Sequence, residues 1–192
     1  MEGFPCAAER KARAVDRREL AYRFMYGRVL DVGCGDAVIV WGGRPPDFVT
    51  CVDLDVYPHT HVQAAAEALP FKDNTFDTAL MLEILEHVDD VEAALKEALR
   101  VARRVIISYP NESYDECKAR RPDVMESIRW CMVNAGLREP YLEGEVGFRA
   151  HYHWKSRDRI MRDIETIRRH CQMEFKLWYP DYDGWGFVCD RG

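Results

Sequence analysis

The segment Val29-Leu30-Asp31-Val32-Gly33-Cys34-Gly35-Asp36-Ala37 is the most informative part of this chain. Three apolar residues around an acid read as the end of a buried strand. Two glycines spaced by one residue then let the backbone turn tightly and approach a ligand without Cβ obstruction. Some twenty residues on, Phe48-Val49-Thr50-Cys51-Val52 forms a second apolar run that ends in Asp53. A glycine turn after one strand and a carboxylate at the tip of the next suit a nucleoside. Backbone N–H groups face its charged end, and the carboxylate accepts from both ribose hydroxyls.

The rest of the chain agrees with a doubly wound α/β sheet. The spacing predicts strands at 28–32, 48–53, 61–64, 76–82 and 105–109. The helix after the first strand is stopped early by Gly42-Gly43 and Pro45-Pro46, so one or two turns are expected there. Only nine residues separate Asp53 from Gln63, and Tyr57-Pro58-His59 lies between them, so no helix is expected in that gap. Strand 76–82 is nearly all apolar, as a parallel strand covered on both faces should be. Asp89-Asp90 caps a helix whose Val88, Val91, Leu95, Ala98 and Ala102 fall on one stripe. Arg100, Arg103 and Arg104 are assigned to its last turn, where cations suit the helix dipole. A weakly amphipathic helix is expected at 7–26 and a further one from Ser156 to His170, with Ile160, Ile164 and Ile167 turned inward. Residues 173–179 and 185–189 read as a closing hairpin. Short connections between alternating strands and helices imply a mostly parallel sheet with right-handed crossovers.

At 192 residues the chain reads as one domain, 1–192, large enough for a full core. With 47% hydrophobic residues it still has no run near the ~20 apolar residues of a membrane span. The net charge of −6 argues against general attraction to nucleic acid or an anionic membrane. Two basic clusters, Arg10 to Arg23 and Lys155 to Arg169, are interleaved with acids and read as solvated helix faces rather than an RNA surface. The seven cysteines contain no Cys-x-x-Cys pair, and no export signal is evident. Reduced thiols and a cytoplasmic location are therefore expected.

In order and spacing, Asp31, Gly33, Gly35, Asp53, Leu69-Pro70-Phe71, Phe76-Asp77 and Glu86-His87-Val88 resemble the class I S-adenosylmethionine-dependent methyltransferases, in particular the small-molecule branch. The likeness covers residues 28 to 110 well and the remainder loosely. It implies a Rossmann-like sheet, mostly parallel with an antiparallel final strand and helices on both faces. It implies S-adenosyl-L-methionine as cofactor, with Gly33, Cys34 and Gly35 beneath its methionine part and Asp31 accepting from its amino group. Asp53 would take the ribose hydroxyls, Leu54, Ala66 and Glu67 would line the adenine pocket, and Leu82 and Glu83 would face the transfer centre. Two positions depart from the family: Ala37 stands where a third glycine is frequent, and Ala65 where an acid often receives the adenine amino group. A nicotinamide fingerprint fails, because the third position after Gly35 is Val38.

Methyl transfer is an in-line displacement, so the protein must chiefly hold nucleophile and methyl collinear. A base is needed where the acceptor loses a proton, and His87, His151 and His153 are the candidates. His87 has a scaffold role as its rival. The pair in His151-Tyr152-His153 lacks a visible third or fourth ligand, so a metal is not expected. Residues 111–154 form an insertion that reads as an acceptor lid, with Tyr109, Asn111 and Tyr114 lining the acceptor pocket at the C-terminal edge of the sheet. The expected acceptor is a small molecule, methylated at oxygen or nitrogen. The alternatives are a catalytically inactive S-adenosylmethionine-binding partner subunit and a methyltransferase acting on protein or RNA.

Overall fold

A computed structural model describes residues 16–111, 156–178 and 183–191. In chain order the elements are α1 (Arg17–Phe24), β1 (Val29–Val32), α2 (Val38–Trp41), β2 (Val49–Asp53), β3 (Val62–Gln63) and β4 (Phe76–Leu82). There follow α3 (Val91–Val101), β5 (Ala102–Pro110), α4 (Arg157–Arg168), β6 (Met173–Trp178) and β7 (Asp183–Asp190). The seven strands form one sheet in the order β3-β2-β1-β4-β5-β7-β6. The first five are parallel, and β7 is inserted antiparallel between β5 and β6.

Each strand shows the two faces its alternation dictates. Leu30, Val32, Ala79, Met81, Val105 and Ile107 pack beneath α3 and α4, together with Leu95, Ala98, Ile160, Ile164 and Ile167. Val29, Cys51, Leu80, Leu82 and Ile106 pack on the other side, beneath Leu20 and Ala21 of α1 and Val40 and Trp41 of α2. Helices therefore cover both faces, as expected. The helix after β1 is a single turn, and no helix intervenes between β2 and β3.

The boundary between α3 and β5 differs from the sequence reading. The helix ends at Val101, Ala102 is already extended at φ −127°, and Ala102 pairs with Phe76 of β4. Arg103 and Arg104 are thus strand residues, and only Arg100 belongs to the last helical turn. Pairing along β4 outweighs the helical pattern here, since β5 is hydrogen-bonded on both sides. Arg104 binds Asp190 of β7 through two bonds, of 2.7 and 3.0 Å. Of the N-terminal helix only Arg17–Phe24 can be compared, with Asp16 as its cap. Residues 7–15 and the insertion from 112 to 154 lie outside the described residues.

Cys171 and Cys189 are joined as a disulfide, against the expectation of reduced thiols throughout. The antiparallel pairing of β6 with β7 brings their Cα atoms to 4.0 Å. Among the described residues no helix is long and apolar enough to cross a membrane.

Candidate functional site

The glycine bend sits at the C-terminal end of β1. Gly33 and Gly35 both have positive φ, 71° and 52°, which glycine adopts without penalty. The N–H groups of Gly33 and Cys34 donate to the Val52 carbonyl, at 2.8 and 3.2 Å, so the bend is tied to β2. A Cβ on Gly33 would stand 2.5 Å from Ile84 Cδ1, whereas one on Gly35 would meet nothing within 4 Å. Gly33 is needed for packing, and the space before Gly35 is open. Ala37, in the place of the third glycine, also has positive φ, at 59°.

Asp53 ends β2 and faces this opening. One oxygen accepts from the Gly35 N–H at 2.8 Å and the other from the Asp55 N–H at 3.0 Å. Both oxygens keep a further lone pair, and the residue is half-buried, so a diol could still donate to it. Leu54 beside it is half exposed, Ala66 is buried and Glu67 is partly exposed. The Ala66–Phe71 loop is held down by α3. Arg100 donates to the carbonyls of Leu69 and Phe71 at 3.0 and 2.8 Å, while Glu97 accepts from the Leu69 N–H at 2.9 Å.

Asp31 is 5% exposed, and its Oδ2 accepts from Trp41 Nε1 at 2.6 Å. Burial pushes its carboxyl up to about 6, the indole bond pulls it back, and the charge of Asp53 adds to the rise. The neighbouring Cys51, burial and the acids around it push the Cys34 thiol up, which argues against a nucleophilic role. At the tip of β4, Leu82 is buried and Glu83 has φ 58°. Glu83 accepts from Ser108 Oγ at 2.9 Å and pairs with Arg17 of α1 at 3.6 Å. His87 lies just beyond, its Nε2 3.7 Å from Glu86 Oε1.

The proposed acceptor residues separate. Tyr109 is fully buried on the α4 side, and its hydroxyl donates to Asp163 at 2.7 Å. Burial and the adjacent carboxylate push its phenol well above the ordinary range, so it acts as an anchor for α4 rather than as a base. Asn111 accepts from Arg157 Nη1 through its side-chain oxygen at 2.7 Å and its carbonyl at 3.3 Å, which ties the end of β5 to the start of α4. Tyr114, His151 and His153 lie outside the described residues.

Structure thus brings Asp31, Gly33, Cys34, Gly35, Asp53, Leu82 and Glu83 to one edge of the sheet. It also adds Trp41, Arg17 and Ser108, which sequence reasoning missed. Trp41 stands ten residues after Asp31, and the sequence foretells the short helix that bears it but not the contact with Asp31.

The strand order, with its antiparallel closing hairpin, is that of the Rossmann-like class I methyltransferase fold. Residues 30–105 match the family model described as a methyltransferase domain. Among solved structures, the chain is similar to an S-adenosylmethionine-dependent methyltransferase of Thermotoga maritima. The identity is 17% and the TM-score 0.52, over 92% of this chain and 88% of that one. It is similar also to one from Methanosarcina mazei, at 13% identity and a TM-score of 0.55, over 92% and 99%. Among curated proteins, norajmaline N-methyltransferase of Rauvolfia serpentina is 35% identical over 74 residues, 36% of this chain. That match spans 25% of the plant enzyme's length. Residues 30–105 thus resemble a methyltransferase domain, and the sheet around them has the fold of these solved structures.

Proposed function

We propose that the chain is an S-adenosylmethionine-dependent methyltransferase acting on nitrogen or oxygen of a small molecule. The observation that carries this reading is the Gly35–Asp53 arrangement. An open space lies before a glycine whose N–H is already bound to a half-buried carboxylate at the next strand tip. Acids dominate the surroundings: Asp31, Asp53, Asp55, Glu83 and Glu86 all lie at the ends of β1, β2 and β4. Such a field suits a ligand that carries both a sulfonium and an ammonium.

When bound, the cofactor supplies a methyl group on a positively charged sulfur, which departs as a neutral thioether. Asp53 would hold the ribose by charge-assisted bonds to its two hydroxyls. Asp31 would receive the ammonium, and Leu54, Ala66 and Glu67 would flank the adenine. Gly33 to Gly35 let the backbone come close. Leu82 and Glu83 set the far wall, with Glu83 held by Ser108 and Arg17. His87 stands at this end of the sheet and would take a proton where the acceptor is a hydroxyl, its orientation supported by Glu86. A neutral amine acceptor attacks without a base, and the plant N-methyltransferase supports nitrogen as the atom methylated. Asn111, Tyr114, His151, His153 and the 111–154 insertion supply the acceptor side of this reading.

Calorimetry with S-adenosylhomocysteine tests the cofactor half. The wild type binds, and Asp53→Ala weakens affinity at least ~tenfold, the scale of a lost charge-assisted bond. Unchanged affinity in that variant overturns the reading. Turnover on a panel of amines and hydroxylated compounds tests the rest. Binding without any turnover would favour a non-catalytic partner subunit instead.

A further inference from the structure

We propose that Trp41 is the positioning residue for the amino-acid end of the nucleoside: its indole N–H fixes Asp31 Oδ2 and presents Oδ1 to the ligand's ammonium group. The inference rests on the cofactor reading above and extends it to a residue outside the glycine bend.

Three observations support it. First, the bond itself is short, 2.6 Å, between two buried groups, so the carboxylate is oriented rather than merely solvated. Among the described residues Trp41 is the hydrogen-bond partner of the Asp31 side chain, and it engages one oxygen only. Second, the indole is itself immobilised. Tyr22 of α1 meets it edge-on at 6.0 Å, and Phe48 at the entry to β2 does so at 6.3 Å. Its backbone N–H closes the single turn of α2 on the Ala37 carbonyl. Third, Trp41 is placed for the contact at the end of the single turn of α2. Side chains on a helix lean toward its N-terminus, so a residue at the end of one turn reaches back over the bend.

A purely structural role is the rival, in which the indole only satisfies a buried acid. The two differ in which part of the ligand feels the change. Trp41→Phe keeps the ring and removes the N–H. Affinity is measured for S-adenosylhomocysteine, which has the ammonium, and for 5′-methylthioadenosine, which lacks the whole amino-acid group. The expected result is a loss of about tenfold for the first ligand, the scale of one charged hydrogen bond, with the second within about twofold. In an Asp31→Asn background the same substitution should cost nothing further. Equal losses for both ligands, or none for either, overturn the inference while leaving the cofactor reading intact. A wild type that binds neither nucleoside overturns both.

Should Trp41→Phe fail to fold, the intact protein still decides. With ¹⁵N-labelled tryptophan, the chain gives five indole N–H signals. The one displaced by Asp31→Asn belongs to Trp41. It should move with S-adenosylhomocysteine and stay in place with 5′-methylthioadenosine. An unmoved signal with the first ligand overturns the proposal.

Discussion

Asp31 shows how a single residue can oppose folding and still be kept. Its carboxyl is raised to about 6, mainly by burial, so the folded chain holds a proton there that the unfolded chain gives up near 3.8. The favourable contribution is therefore complete below the unfolded value and is lost as pH rises through about 6. Above that, the charged acid costs about 3 kcal/mol, the free energy equivalent of the shift. Replacing Asp31 by Asn should stabilise the ligand-free protein at pH 8, with the advantage shrinking toward pH 4.5. Urea unfolding of both proteins at the two pH values checks this. A gap that is constant with pH would refute it. The same titration has a second outcome. With the ammonium paired to the charged form, as we propose, affinity for S-adenosylhomocysteine should fall as pH drops below about 6, and calorimetry in that range reads it. Asp31, Gly33, Gly35 and Asp53 were all legible in the sequence, since a tight turn and a strand-tip acid leave a fixed spacing. Trp41 was not: the early stop of α2 was legible, but the contact with Asp31 also depends on packing by Tyr22 and Phe48.

Elements were read better in their interiors than at their ends. β4 and the inward isoleucines of α4 follow from apolar pattern alone. The junction of α3 with β5 did not, because Ala102, Arg103 and Arg104 suit a helix locally and join a strand only through pairing with β4 and β7. Arg100 illustrates a related gap. Its place in a last helical turn was evident from sequence, yet its main contacts are long-range. It binds Glu97 at 2.7 and 2.8 Å, Asp73 at 2.8 Å, and the carbonyls of Leu69 and Phe71. One guanidinium thus clasps the Leu69-Pro70-Phe71 loop to α3. Arg100→Met keeps most of the stem and removes five donors. It should cost about 1–3 kcal/mol, the range for losing hydrogen bonds to charged and carbonyl partners. Hydrogen exchange should rise across residues 66–74 while the core strands stay protected. Uniform exchange in that loop would show that the clasp is dispensable.

At the scale of the molecule, β7 joins regions far apart in sequence. It pairs with β5 along seven positions, carries Asp190 to Arg104, and bears the buried Cys189 of the disulfide. Closing an 18-residue separation by a covalent bond stabilises by about 3 kcal/mol in the chain-entropy account. Cys171→Ser should therefore lower Tm under oxidising conditions and change it little once wild type and variant are both reduced. Equal Tm values in the absence of reductant would refute a contribution from this bond. The hairpin was legible from two short apolar runs around a turn-rich segment. The disulfide was not, since pairing of cysteines depends on the register of β6 against β7, which spacing alone does not set.

The tie between Asn111 and Arg157 has a consequence for how such a chain diversifies. Forty-five residues separate these two positions, which are stapled side by side at the end of β5 and the start of α4. Substitutions or length changes between them are expected to leave the affinity for S-adenosylhomocysteine unaltered, so that acceptor preference can drift while the frame stays as it is.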